Sequence, residues 1–387
     1  MGVVPPSAWR RAVLALFAVA AGTNVPTPLL VLYRDRLGLS PTVLTAVFGV
    51  YAAGLVPALF VAGPLSDRVG RRPVVVPFVV LSGLASLVFI PAAGSVPLLF
   101  VARWLQGAVS GVVFSVGSAW VAELSAVAGA AAAGRRAAVA MTAGFCLGPT
   151  VSGVLAEVAP APTVLPYVLH VALVAVGTAA VLRLPETAGG VVGTQVRAPT
   201  VVRPGGHRAV VTVLAPLAVC VYLFPSVVIA GVPLLVHVSL PPVLFTGLLA
   251  GLTLGCGTLA APLQQRLGRW TAPAAVTSGA LGFAVAASAA RAGDPVRLVV
   301  AAVLLGAGGG AALAAGIALV ARLAEPTRLG TLSAVFYGCA YCGFAGPYAY
   351  SVAAQSFGVT APLVVLSAAV ALLAVRLALG TRITPWW

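Results

Sequence analysis

Hydrophobic positions in this chain come in long unbroken runs rather than in alternation. Between charges, prolines and glycines lie twelve apolar stretches, at 12–33, 43–63, 73–93, 96–119, 137–158, 163–184, 209–236, 242–263, 273–291, 296–320, 330–356 and 359–380. Each is close to the ~20 residues that carry a helix across a bilayer's hydrocarbon core. Stretches such as Val74 to Ile90 are apolar on both parities, which excludes membrane strands, whose polarity alternates. The pattern predicts an all-α integral membrane protein with twelve transmembrane helices. Short loops are all that remain between spans, so the function must sit within the membrane part. The first run follows Arg10 and Arg11 but exceeds the apolar region of a signal peptide, and it is read as a retained span.

Composition sharpens this picture. Of 387 residues, 61% are hydrophobic and 7% charged, where a soluble chain carries about 25% charged residues. The net charge of +15 comes from 22 basic and 7 acidic residues, and every basic residue is arginine. Without lysine there is no P-loop lysine for ATP and no Schiff base for a carbonyl cofactor. No cofactor and no metal site are expected, and any uphill movement needs an energy source other than ATP bound by this chain. Nucleic acid is excluded as a partner, because such binders hold their charge on a hydrated polar surface, whereas these arginines punctuate apolar runs.

Short cytoplasmic loops hold the excess of positive charge. With the N-terminus inside, 17 arginines fall on the cytoplasmic side, 4 (Arg34, Arg36, Arg291, Arg297) on the outer side, and Arg103 within a span. The distribution predicts a multi-pass protein of the cytoplasmic membrane with both termini cytoplasmic.

The polar, Gly- and Pro-rich stretch 185–208 reads as a flexible linker. It divides the chain into an N-terminal six-helix bundle, 1–184, and a C-terminal one, 209–387. An internal repeat supports the division: Pro64, Leu65, Arg68, Gly70 and Arg71 recur 198 residues later as Pro262, Leu263, Arg266, Gly268 and Arg269, and Gly148-Pro149 recurs at the same offset as Gly346-Pro347.

Four motifs carry a family resemblance. The loop Gly63-Pro64-Leu65-Ser66-Asp67-Arg68-Val69-Gly70-Arg71-Arg72 resembles the signature loop between helices 2 and 3 of the major facilitator superfamily. Arg103, Gln106 and Gly107 are similar to its helix-4 pattern. Gly144, Gly148, Pro149 and Gly153 are similar to its helix-5 pattern, with Ser152 in place of one glycine, and Pro185-Glu186-Thr187 closes helix 6 as in many relatives. The resemblance implies two six-helix bundles around a central cavity, a cytoplasmic latch built on Gly63, Asp67, Arg68, Gly70, Arg71 and Arg72, and, from the helix-5 motif, antiport. The second copy of the loop has Gln265 where the first has its acid, so a charged latch is expected in the first half alone.

Physical chemistry gives these residues their work. Asp67 can accept from the free N–H groups of a neighbouring helix N-terminus, Arg68, Arg71 and Arg72 can pair with it or with lipid phosphate, and small residues at spacing four let helices approach closely. Arg103 lies about 10 Å inside its helix at 1.5 Å per residue, and a charge at that depth marks a pathway or a pair. Glu157 and Asp35 are its candidate partners, and Gln106 faces the same way. Arg103 and Gln106 are expected to line the route while Glu157 titrates; the alternative is that Arg103 snorkels to the interface.

Proton coupling needs a group that changes protonation, yet the middle of the first span reads Gly22-Thr23-Asn24-Val25-Pro26. His170 and His237 are further titratable candidates, beside a plain packing role. Glu123 lies at the inner end of helix 4, and Asp294 in an outer loop. Asn24 lies on the pathway, and Tyr222, Phe224, Phe145 and Trp104 either line an apolar cavity or face lipid. Cys339 and Cys342 have no His or acid nearby and read as small hydrophobes. The expectation is a monomeric secondary transporter, not an enzyme. It moves a small neutral or amphipathic molecule, most simply by proton-coupled efflux; the alternative is a sugar or metabolite permease working by uniport or symport. A membrane enzyme or receptor would need a catalytic cluster or sensing domain that the sequence lacks.

Overall fold

The computed structural model describes residues 7–125, 130–187, 206–236, 238–324 and 329–383. Most of the expected linker (188–205) and His237 lie outside the described residues. Every predicted apolar run is helical. Nine stretches among the described residues are long and apolar enough to cross a membrane; one of them, Pro242–Ala292, contains two of the predicted runs, and Leu165–Val181 is a shorter apolar helix.

The chain forms two compact units, Met1–Gly193 with Val243–Gly251, and Thr194–Pro242 with Leu252–Trp387. In the first lie α1 (Ala8–Asn24), α2 (Pro26–Leu37), α3 (Pro41–Val69), α4 (Arg71–Ala92), α5 (Val96–Leu124), α6 (Ala130–Val158) and α7 (Leu165–Val181). The remaining helices are α8 (Gly206–Ala209), α9 (Ala215–Ser226), α10 (Val232–Leu235), α11 (Pro242–Ala260), α12 (Leu263–Leu267), α13 (Thr271–Ala292), α14 (Pro295–Leu323), α15 (Leu329–Cys342), α16 (Gly346–Phe357) and α17 (Ala361–Ile383).

Local chemistry sets the helix boundaries. α2 stops at Gly38, whose φ of 63° is the left-handed conformation glycine adopts without a Cβ penalty. α3 begins at Ser40, whose hydroxyl accepts from the Val43 N–H at 3.3 Å, with Pro41 at the first helical position. Asp294 caps α14 by accepting from the Val296 N–H at 2.9 Å.

The run predicted over 12–33 lies within one apolar stretch, Ala8–Leu37, whose hydrogen bonding is interrupted at Val25 while its φ of −52° and ψ of −43° stay helical. Pro26 has no N–H for the carbonyl four residues back, on Gly22, which accepts instead from the Val25 N–H at 3.3 Å. The run at 330–356 breaks for the same reason: Pro347 cannot donate to the Gly343 carbonyl, and Gly343–Ala345 tighten into a 3-10 turn. The run at 209–236 stays helical but widens into π turns at Val210–Leu214 and Val227–Gly231, next to Pro216 and Pro225.

Helices cross where glycine lets backbones touch. A Cβ on Gly107 would strike the Tyr51 carbonyl, and one on Gly111 the Leu55 carbonyl, so α5 lies directly on α3. In the second unit Gly306 and Gly310 of α14 meet the Thr253 and Gly257 carbonyls of α11 in the same way. The helix-5 glycines do likewise: Gly144 packs on Phe17, Ala20 and Ala21 of α1, Gly148 packs on Ala21, and Gly153 packs on Val243 and Gly247. Around these crossings Leu16, Val113, Val116 and Trp120 fill the core of the first unit.

Candidate functional site

The polar groups of the first unit gather at the break between α1 and α2. Gln106 donates from Nε2 to the Gly22 carbonyl at 2.5 Å, beside the Val25 N–H at 3.3 Å. Arg103 donates to the Thr23 carbonyl at 2.5 Å and to Gln106 Oε1 at 2.6 Å. Its guanidinium lies over the rings of Phe48 and Tyr51, with centroids at 5.1 and 4.7 Å, a cation–π sandwich that a lysine would make less well. Ser152, the residue that departs from the helix-5 pattern, donates to the Val25 carbonyl at 2.7 Å. Side chains of α5 and α6 thus supply donors to the carbonyls around the proline-interrupted turn and keep them satisfied inside an apolar unit, as the membrane requires.

His170 on α7 joins the same stretch of α1. Its Nε2 lies 3.0 Å from the Ala18 carbonyl and its Nδ1 2.7 Å from the Ser86 hydroxyl. A carbonyl only accepts, so Nε2 carries the proton. In the neutral ring Nδ1 then accepts from Ser86. A protonated ring would keep both bonds, because the serine hydroxyl can turn from donor to acceptor. Gly22 makes room: a Cβ there would strike the imidazole. Nearby, the Tyr33 and Tyr167 hydroxyls share a 2.6 Å hydrogen bond, and Tyr167 stacks on Phe89 with centroids 5.1 Å apart.

The structure thus brings Asn24, Arg103, Gln106 and His170 to one section of α1, with Asn24 Nδ2 donating to the Thr23 hydroxyl at 3.3 Å. It does not bring Glu157 there. Glu157 is exposed near the end of α6, and the other expected partner of Arg103, Asp35, pairs with Arg34 at 2.9 Å. Arg103 is 3% exposed, and none of the ion pairs among the described residues includes it. It is held by carbonyls and rings, so it neither snorkels nor meets an acid. Tyr222 lies in the second unit, stacked on Tyr341 with centroids 4.9 Å apart and tilted against Phe344 at 5.0 Å. Phe224 is wholly buried against Phe283, Trp104 is half exposed, and Phe145 meets Phe114 edge-on.

A second polar cluster sits where α3 meets α4. Gly70, at φ 104°, makes the turn. Asp67 pairs with Arg71 at 2.6 Å, and the same guanidinium reaches Ser66 at 2.6 Å and Glu123 at 2.9 Å. The carboxylate that covers the α4 N-terminus is Glu186: it accepts from the Arg71 N–H at 2.8 Å and the Arg72 N–H at 2.9 Å. This is the interaction expected of Asp67, made instead by a residue beyond α7. Thr187 closes the cluster by donating to Glu123, and Arg72 donates to the Leu182 carbonyl at 2.8 Å. Arg68 is exposed, and none of the ion pairs among the described residues uses it. Gly63 lies on α3 seven residues before the turn.

Sequence reasoning placed Glu186 at the close of helix 6 without a partner, named Ser152 only as a departure from the helix-5 pattern, and missed Ser86 and Tyr167. One signal was available for the Gln106 contact: a proline at 26 denies the carbonyl at 22 its usual helical donor.

The family model described as Major Facilitator Superfamily matches residues 12–293. The multidrug resistance protein MdtL of Shewanella sp. (strain ANA-3) is 37% identical over 82 residues, 21% of this chain and 20% of that protein. The MdtL of Escherichia coli (strain K12 / DH10B) is 39% identical over 80 residues, again 21% of this chain and 20% of the relative. The match therefore spans about one fifth of the length of these curated relatives. Among solved structures, a peptide transporter superposes with TM-score 0.81 at 15% identity, covering 100% of this chain and 97% of its own. A nucleoside transporter, NupG, gives 0.73 at 13% over 97% and 98%, and a D-xylose-proton symporter 0.70 at 16% over 96% of each chain. At these identities the likeness is one of fold.

Proposed function

The chain belongs to the major facilitator superfamily, and from that premise we propose that it is a secondary active transporter exporting a small neutral or amphipathic molecule by proton-coupled alternating access. The family is one of transporters rather than enzymes. The observation that carries the reading is the buried cation Arg103, held with Gln106 on the carbonyls of Thr23 and Gly22 at the proline-interrupted turn between α1 and α2. A fixed charge inside a membrane-spanning helix marks a cargo or ion pathway. The MdtL relatives, multidrug resistance proteins by name, support export. The shortage of fixed charge along the helices supports a neutral or amphipathic cargo.

On this reading the chain crosses the membrane twelve times as a monomer, with both termini in the cytoplasm, as the arginine distribution indicates. The Asp67–Arg71–Glu123–Glu186 cluster is the cytoplasmic latch, and the helix-5 glycines let α6 slide on α1. With Glu157 exposed and away from Arg103, His170 takes over as the candidate proton carrier, since it can bind a proton without losing a hydrogen bond.

The test is flux in reconstituted vesicles with an imposed pH gradient. Substrate movement should follow the gradient in wild type and lose that dependence in His170→Gln. Flux indifferent to the gradient in wild type overturns antiport, and an unchanged gradient response in His170→Gln overturns the assignment of the proton.

A further inference from the structure

A cavity of about 680 Å³ opens between the N-terminal turns of α1 and α6 and plays no part in the reading above. On α1 its wall is Arg10, Val13, Leu14 and Phe17, residues three and four apart and therefore on one helix face. On α6 it is Arg135, Arg136, Val139 and Ala143, spaced the same way. The two helices run in parallel and touch at Gly144 on Phe17 and Gly148 on Ala21. Toward their N-termini they separate, and the cavity fills the gap.

Each wall reads the same way along its length: arginine in the first turns, then apolar residues down to the glycine crossing. Trp9 spans the mouth, with the Arg136 guanidinium 3.9 Å above its ring and the Arg10 guanidinium at 5.7 Å. None of the ion pairs among the described residues uses Arg10, Arg135 or Arg136. Three guanidiniums therefore line one mouth above an apolar slot, in no ion pair among the described residues. Guanidinium favours planar, bidentate oxyanions, and the slot below accepts hydrocarbon.

We infer that this groove binds an amphiphile with an anionic phosphate or carboxylate head, the head held by Arg10, Arg135 and Arg136 and the tail laid along Val13, Phe17, Val139 and Ala143. The bilayer's own anionic phospholipids and amphiphilic anionic solutes share that chemistry. The site stands on geometry separate from the Arg103 cluster, and its test does not depend on transport.

Two probes separate the sources. Native mass spectrometry of protein from nanodiscs of mixed phosphatidylglycerol and phosphatidylcholine reads lipid retention. Binding of dodecyl phosphate in phosphatidylcholine nanodiscs, against dodecylphosphocholine and inorganic phosphate, reads solute binding. Retention of one phosphatidylglycerol per chain, lost in the triple variant Arg10→Gln, Arg135→Gln, Arg136→Gln, assigns the site to lipid. Tenfold tighter binding of dodecyl phosphate than of either control, lost in the same variant with no lipid retained, assigns it to solute. Ala143→Phe keeps the arginines and fills the slot. It should lower dodecyl phosphate affinity at least tenfold while leaving inorganic phosphate unchanged, and it serves if the triple variant does not fold. Equal binding of anionic and zwitterionic probes in wild type, or full anionic binding in Ala143→Phe, overturns the inference.

Discussion

The two units share a skeleton and differ in what fills it. In the first, Gly107 and Gly111 of α5 sit on the Tyr51 and Leu55 carbonyls of α3; in the second, Gly306 and Gly310 of α14 sit on the Thr253 and Gly257 carbonyls of α11. Aligned on these crossings, Arg103 corresponds to Ala302 and Gln106 to Leu305, and all four are buried. Both units also interrupt a helix's bonding at a proline and add a side-chain donor to the carbonyl four residues back: Gln106 reaches Gly22 at 2.5 Å, and Ser226 reaches Gly343 at 3.2 Å. The loop repeat follows the same rule. Gly70 and Gly268 both hold positive φ, but the Asp67–Arg71–Glu123–Glu186 cluster has as its counterpart Gln265 and an Arg269 stacked at 5.9 Å on Trp270. Backbone geometry is repeated, therefore, while charge is concentrated in one copy. A duplicated scaffold needs its close crossings twice; a charge inside a membrane is costly and is kept where a function requires it.

The shared skeleton gives the largest predicted effects. Gly107→Val and Gly306→Val each push a side chain into a carbonyl of the facing helix and should each prevent recovery of folded protein, read as monodisperse yield on size-exclusion chromatography. Overpacking a tight core costs about 1–3 kcal/mol even where neighbours can yield, and backbone cannot yield. Normal folding of one variant and loss of the other would break the equivalence of the two crossings.

Arg103→Ala tests the difference. The substitution removes a charge but leaves the Thr23 carbonyl and Gln106 Oε1 short of a donor, at about 1–3 kcal/mol for each buried polar group left unsatisfied. Transport should fall at least a hundredfold with folded protein still recovered. The mirror change, Ala302→Arg, brings a guanidinium to a place where the aligned neighbour is Leu305, and it should lower folded yield. Full transport by Arg103→Ala would remove the cation from the mechanism and reduce the contrast between units to packing.

How much of this the sequence shows depends on the range of each interaction. The apolar runs, the loop motif and the glycine spacing are local, and they predict helices, turn and crossings at the right residues. Arg103 stands out as a lone charge within a span. Its partners do not, because they are a backbone carbonyl 80 positions away, the Gln106 side chain and two rings of α3; an acid at Glu157 or Asp35 was the natural expectation. Glu186 was equally hidden, since its contact with the Arg71 and Arg72 N–H groups closes a gap of 115 and 114 positions. Reading 12–33 as one span agrees with the single apolar stretch Ala8–Leu37 but does not show the interruption in hydrogen bonding at Val25, which Pro26 marks.

The latch comes next in size. Glu186→Ala uncovers two N–H groups at the start of α4, a loss of about 1–2 kcal/mol by the measure of helix caps, and should lower the melting temperature. Asp67 is more exposed, with its side chain 63% accessible. Asp67→Ala should leave the melting temperature unchanged while it shifts the protein toward inward-facing states and slows transport. Spin labels at the cytoplasmic ends of the helices read the shift, and unchanged label distances would remove Asp67 from the latch. Because the second loop has no acid, Gln265→Ala should change neither readout.

The smallest predicted effect lies in the second unit, where Tyr222, Tyr341 and Phe344 form a stacked aromatic group. If the first unit handles the proton and the second supplies an apolar wall for cargo, Tyr222→Ala should weaken binding without touching coupling. One aromatic pair is worth about 0.5–1.5 kcal/mol beyond its buried area, which corresponds to a two- to twelvefold rise in KM for an aromatic or amphipathic substrate. The maximal rate and its dependence on the pH gradient should stay at the wild-type level, because no group in this cluster replaces His170 or Arg103. Leucine at the same position should recover part of the affinity through apolar area alone. A Tyr222→Ala variant that instead lost its response to the pH gradient would place coupling in both units, and the division of labour drawn from their unequal charge would have to be abandoned.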